Sequence, residues 1–206
     1  MTMSPDAPDR PPAQAPTAPP PRALDRPQIT LLGDISAAST ERFLARLQEV
    51  AGENGDLVLE LTTLGGDAEM ARRIVLEIDR VRERRGGRFL FLGKTIVYSA
   101  GITIMSAFAP ADRWLSADTM LMIHGRTLDK TLDLSGPMRA SLPQVEALRD
   151  EIIAGLALED QGFARVVEGS QIALDELREK ATRSWYLTAA EALRRGLVAG
   201  IWTPAS

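Results

Sequence analysis

The sequence predicts an α/β protein with a largely parallel sheet, and three observations lead there. Short apolar runs alternate with segments whose apolar residues recur at helical spacing, and alternating strands and helices imply crossover connections. The 206 residues are 45% hydrophobic and 25% charged, which is ordinary globular composition with material for one core. The pattern also breaks sharply near Gln28: nine of the 13 prolines lie in residues 1–27, where the apolar residues are mostly alanine. Residues 1–27 are therefore expected to be a Pro-rich disordered or polyproline tail, and 28–203 a single domain.

From Gln28 the elements follow in order. ITLLG is a short buried strand, and a helix capped near Ser39 or Thr40 follows, with Phe43, Leu44, Leu47 and Val50 on one face. DLVLELT (56–62) is a second strand, turned by Gly-Gly-Asp into a helix carrying Met70, Ile74, Val75, Ile78 and Val81. RFLFLG (88–93) is a third strand, and Ser99–Phe108 a short apolar helix. RWLSA and TMLMIHG are two further strands, before a long helical region from about Pro137 to Val167. A helix near Leu174–Ala181 leads through SWYL into a helix with a capping box from Thr188 to Glu191 and a stop glycine at Gly196. LVAGIW closes as a strand.

Composition excludes several chemistries. Without cysteine there is no disulfide, thiolate nucleophile or thiolate metal site, and one histidine excludes a multi-histidine metal centre. A net charge of −4 gives no broad electrostatic attraction to nucleic acid or anionic membrane. No apolar run approaches the roughly 18 residues of a membrane span. The N-terminus lacks the basic and apolar stretches of a signal peptide, so a cytoplasmic location is expected.

Three segments each follow a strand and would converge at strand ends, where open α/β sheets bind ligands. In TTLGGD, Gly65 and Gly66 let the backbone take φ > 0 and bring its N–H groups close to another atom, as an oxyanion hole or as a plain turn. In YSAG, Ser99 begins a helix, where the hydroxyl is either a nucleophile beside the free N–H of Ala100 or an ordinary cap. In MLMIHG, His124 closes an apolar strand; an imidazole ordinarily titrates at about 6.5 and could accept a serine proton near neutral pH, or be structural.

Taken together, Gln28–Trp202 resembles the proteolytic subunit of the Clp protease and its ClpP-like relatives. LELTTLGGD is similar to that family's strand and Asn-Ser-Pro-Gly-Gly turn, VYSAG to its Ala-Ser-Met-Gly nucleophile motif, and MLMIHG to its Val-Met-Ile-His-Gln-Pro. WYLTAAEALRRGLVAGI is similar to its closing Phe-Leu-Ser-Ala-Glu-Glu-Ala segment, and the spacing 124 − 99 = 25 agrees. The resemblance implies a ClpP/crotonase-like spiral of β-β-α units with a protruding helical handle. It implies Ser99 as nucleophile, His124 as base, Gly66 and Ala100 as oxyanion donors, and a substrate strand bound near Gly65 and Asp67. It also implies peptide or unfolded-protein substrates, homo-oligomeric rings joined through about Pro137–Asp160, and no cofactor or metal.

The sequence departs from the family in three places. Ser184 stands where the family has its catalytic Asp; a hydroxyl can accept the Nδ1 hydrogen bond but brings no charge. About four additional residues separate the glycine pair from Ser99, assigned here to a surface connection around RERRGG. The tail does not match the family's N-terminal axial loop, which leaves docking to an AAA+ unfoldase open. Lys94 raises the alternative of a Ser-Lys dyad, though at the end of a strand beside Gly93 it is expected to be exposed. Two other functions stay open: a catalytically weak or inactive ring or scaffold subunit, and a crotonase-type acyl-CoA hydratase or isomerase.

Overall fold

The structure is a computed structural model that describes residues 19–204. It has a seven-stranded sheet with order β1-β2-β3-β4-β7 and a branch, β5 and β6, that leaves β3. The strands are β1 (Ile29–Leu32), β2 (Leu57–Thr63), β3 (Phe89–Tyr98), β4 (Arg113–Ser116), β5 (Met120–Ile123), β6 (Trp185–Thr188) and β7 (Gly200–Trp202). The helices are α1 (Ala37–Val50), α2 (Ala68–Arg84), α3 (Ala100–Met105), α4 (Met138–Val167), α5 (Leu174–Ala181) and α6 (Ala189–Arg194). Every strand pairing is parallel except β5 with β6. The α/β class with a mostly parallel sheet is as the alternating pattern predicts.

The branch arises within β3. Its first half pairs with β4 from Phe91 to Gly93, and its second half with β5 from Ile96 to Tyr98. Against β2 the register steps from Leu61↔Gly93 to Thr63↔Val97, so β3 takes four residues where β2 takes two. Thr95, at φ 60, turns the bulge. The carbonyls beside it are satisfied by hydroxyls: Thr62 donates to Lys94 O at 2.9 Å and Thr119 to Gly93 O at 3.0 Å. The RERRGG stretch itself lies at the end of α2 and in the turn before β3, and β3 runs on past the bulge to the edge of Ser99.

Helix starts follow side-chain chemistry. Ser36, not Ser39 or Thr40, caps α1; its side chain accepts from Ser39 N while Ser39 bonds back to Ser36 N. Asp67 caps α2 by accepting from Glu69 N and Met70 N. Thr188 caps α6 by accepting from Glu191 N, whereas the Glu191 carboxylate turns to Arg194 and Arg195.

The main core lies between the sheet and α1, α2 and α3 and includes Phe43, Leu59, Ile74, Phe91 and Ile104. A smaller cluster on the other face joins Leu24, Val58, Leu90, Leu92 and Trp114. Leu24 belongs to a short 3₁₀ turn, Arg22–Asp25, and is fully buried. The folded body therefore begins inside the segment expected to be tail, because one leucine among the prolines fills a gap over β2 and β3. The expectation for residues 1–18 lies outside the described residues.

Arg113 on β4 is buried, and among the described residues no carboxylate pairs with it. It donates to Phe108 O, Val166 O and Leu197 O, tying α4's last turn to the sheet where helix carbonyls have no intrahelical partner. Burial, with Arg165 and Arg82 nearby, brings its pKa down to about 10. Beyond this anchor most of α4 projects: only Phe163 and Val166 are buried, while Leu142, Val145, Ile152, Ile153 and Leu156 are exposed. At 1.5 Å per residue it is about 45 Å long. Among the described residues no helix is long and apolar enough to cross a membrane.

Candidate active site

Strand register brings the site together. Tyr98 pairs with Met122, so Ser99 and His124 emerge at the carboxyl ends of adjacent parallel strands. Ser99 N still donates to Met122 O at 2.9 Å, while Ser99 O already accepts from Ile102 N in α3. One residue thus ends a strand ladder and starts a helix, at φ 53 and ψ −114, outside the regions ordinarily open to an L-residue.

Although Ser99 occupies the N-cap position of α3, its side chain makes no capping hydrogen bond. The hydroxyl meets His124 Nε2 at 2.7 Å instead. His124 Nδ1 lies 2.6 Å from Gly125 O. A carbonyl oxygen can only accept, so Nδ1 carries the proton and Nε2 offers its lone pair to the Ser99 hydroxyl. That is the tautomer a general base for Ser99 requires.

The glycine pair flanks Ser99 from the β2 side. A Cβ on Gly65 would stand 2.7 Å from Ser99 Cβ and 3.2 Å from its Oγ, and Gly65 holds φ +114. A Cβ on Gly66 would stand 2.3 Å from Ile35 O. Ile35 fixes this turn: its N donates to Gly65 O and its O accepts from Asp67 N, each at 2.8 Å. Among the described residues neither the N–H of Gly66 nor that of Ala100 donates a hydrogen bond. Asp67, expected near the substrate, uses its carboxylate to cap α2.

Ser184 is half-buried at φ 61, and its N–H donates to Ala181 O at 3.4 Å. Among the described residues no hydrogen bond joins its hydroxyl to His124, whose two ring nitrogens are taken by Ser99 and Gly125. Next to it Trp185 is gripped by Lys180 and Arg195, 4.5 and 5.3 Å from the ring centroid. Lys94 is engaged away from Ser99, with Glu60 at 2.6 Å and above the Trp202 ring, so it is partly covered and not free as the sequence suggested.

Ser99 and His124 border a cleft of about 490 Å³ with apolar walls that include Val75, Leu76, Ile102 and Phe163. Arg72, Asp79, Arg126, Glu159 and Arg165 bring charge to its rim. Arg126 pairs with Glu69 at 2.5 Å and, with Arg72, holds the Glu69 carboxyl below its ordinary range. Its backbone N–H donates to the Glu159 carboxylate. Gly125 N donates to Ala181 O at 3.2 Å. Gly125, Arg126 and Glu159 were not singled out from the sequence: the first two act on His124 through backbone groups, and Glu159 is one acid among several on a long helix. Among the described residues no His, Asp and Glu side chains gather into a group that could hold a metal ion.

A family model described as Clp protease matches residues 19–205. The chain belongs to the Clp protease family. The match begins just before the turn that buries Leu24 and takes in every element of the sheet. Clp protease membership agrees with the parallel-dominated α/β architecture and makes peptide-bond hydrolysis the family-level activity. A search among curated proteins finds no match.

Proposed function

We propose that the protein is a ClpP-like serine endopeptidase that cleaves extended peptides or unfolded protein by acyl transfer. The observation that carries the reading is the Ser99 hydroxyl at 2.7 Å from His124 Nε2, with Nδ1 committed to a carbonyl. Ser99 Oγ attacks the scissile carbonyl carbon while its proton passes to Nε2. The N–H groups of Gly66 and Ala100 receive the oxyanion of the tetrahedral intermediate. Nε2 then protonates the leaving amine, and water, deprotonated by the same nitrogen, releases the acyl group from Ser99. The Gly125 carbonyl takes over the tautomer-setting task of the family's acid and leaves its charge unreplaced.

The exposed apolar residues along α4 support assembly into homo-oligomeric rings through that helix. A second reading, a weakly active or inactive ring subunit, is favoured by one observation: among the described residues no carboxylate bonds either nitrogen of His124. Stoichiometric labelling with a fluorophosphonate, lost in Ser99→Ala, is the expected result for the peptidase. No labelling of a folded, assembled protein would select the scaffold.

A further inference from the structure

Among the described residues no carboxylate bonds His124, yet one stands a single peptide group away. Gly125 C=O and Arg126 N–H belong to the same peptide unit and, in a trans peptide, point in opposite directions. The oxygen accepts from His124 Nδ1–H at 2.6 Å, and the N–H donates to the carboxylate of Glu159. Glu159 also packs against this unit, since a Cβ on Gly125 would lie 3.0 Å from its Oε2.

We propose that Glu159 is a positioning residue for the Ser99–His124 pair: through the Gly125–Arg126 peptide it delivers to Nδ1 the negative potential that Ser184 does not provide. The proposal rests on the peptidase reading. A carboxylate at the N–H end of an amide polarises it, placing more negative charge on the carbonyl oxygen and strengthening the next hydrogen bond in the chain. That oxygen faces the ring when it becomes imidazolium during attack. Glu159 also fixes the peptide plane, and with it the direction in which Nε2 meets Ser99.

The other charges around the ring do not duplicate this. On α2, Glu69 is spent on Arg126 and Arg72. Asp79 is paired with Arg165 of α4. On α5, Lys180 is held by Glu176, and Arg183 is exposed. α3 carries no charged residue.

His124 is the chain's one histidine, so its imidazole Cε1–H signal can be titrated by NMR in the full-length protein without an assignment problem. The carboxylate and Nδ1 are on the order of 7 Å apart through the peptide. Glu159→Gln keeps an acceptor for Arg126 N–H and removes the charge, so the titration midpoint should fall by about half a pH unit. The fluorophosphonate labelling rate near neutral pH should fall by about tenfold. Glu159→Asp, which keeps the charge, should titrate closer to wild type than Glu159→Gln.

A midpoint and labelling rate unchanged in Glu159→Gln overturn the proposal. So does an Asp variant that titrates with the Gln variant, which also decides the matter if the Gln variant folds poorly. Absence of labelling in the wild type would instead count against the peptidase reading, while the NMR midpoints still report on Glu159.

Discussion

Ser99→Gly and Ser99→Ala test whether the turn at Ser99, the proposed nucleophile, stores backbone strain. Both lose the hydroxyl and its bond to His124, and they differ by one Cβ. At φ 53 and ψ −114 that Cβ is held in a region costing about 1–3 kcal/mol. Glycine in ordinary backbone is less stable than alanine by about 0.5–1 kcal/mol, because it loses more freedom on folding. Relief of strain outweighs that term here, so the glycine variant should be the more stable by about 1 kcal/mol. For a chain of this size that is about 2–4 °C in Tm. The measurement is urea unfolding of both variants at one protomer concentration, since assembly would otherwise shift the midpoint. A glycine variant equal to or less stable than the alanine variant would refute the argument, and with it the claim that the fold forces this turn. Neither variant should label with fluorophosphonate.

Three other perturbations address the supports of the site. Gly65→Ala places a methyl 2.7 Å from Ser99 Cβ at φ +114; it should cost about 2–3 kcal/mol and reduce Ser99 labelling about 100-fold, and wild-type labelling would show that the turn gives way freely. Arg113→Met strands the carbonyls of Phe108, Val166 and Leu197. A loss of about 3–5 kcal/mol is expected in thermal unfolding, and a loss below about 1 would deny its anchoring role. The carboxyl of Glu176 is held below 4.5 by Lys180 and Arg195, and that of Glu191 by Arg195 and Arg194. Their stabilisation is present above about pH 4.5 and fades as acid protonates them in the folded state. Both side chains are half-buried at the surface with their partners reachable by solvent, so the double variant Glu176→Gln with Glu191→Gln should lose no more than about 1 kcal/mol at pH 7. Its gap to wild type should narrow steadily in urea unfolding as the pH falls below about 4.5, and a gap that stays constant into acid would mean packing, not charge.

The sequence by itself determined the order of strands and helices, because apolar periodicity and caps are local. Leu174–Ala181 is bounded as predicted, and Asp67 after Gly-Gly starts α2 as expected. It also contained Ser99, His124, Gly65 and Gly66 as chemically suited residues at strand ends. What it left undecided was nonlocal. Whether Ser99 caps its helix or faces an imidazole depended on the register Tyr98↔Met122, which no residue near Ser99 encodes. Leu24 was read as tail because its neighbours are prolines, yet its partners Val58, Leu90 and Trp114 come from three different strands. The branch in β3 follows from competition between β4 and β5 for the same strand, and a propensity reading ends the strand at Gly93. Above all, the group that meets His124 Nδ1 is a backbone carbonyl, and the next N–H along that peptide meets a glutamate 35 residues away, 159 − 124. A carbonyl leaves no mark in sequence, and a surface acid on a long helix gains meaning only when the chain folds it against one particular peptide group.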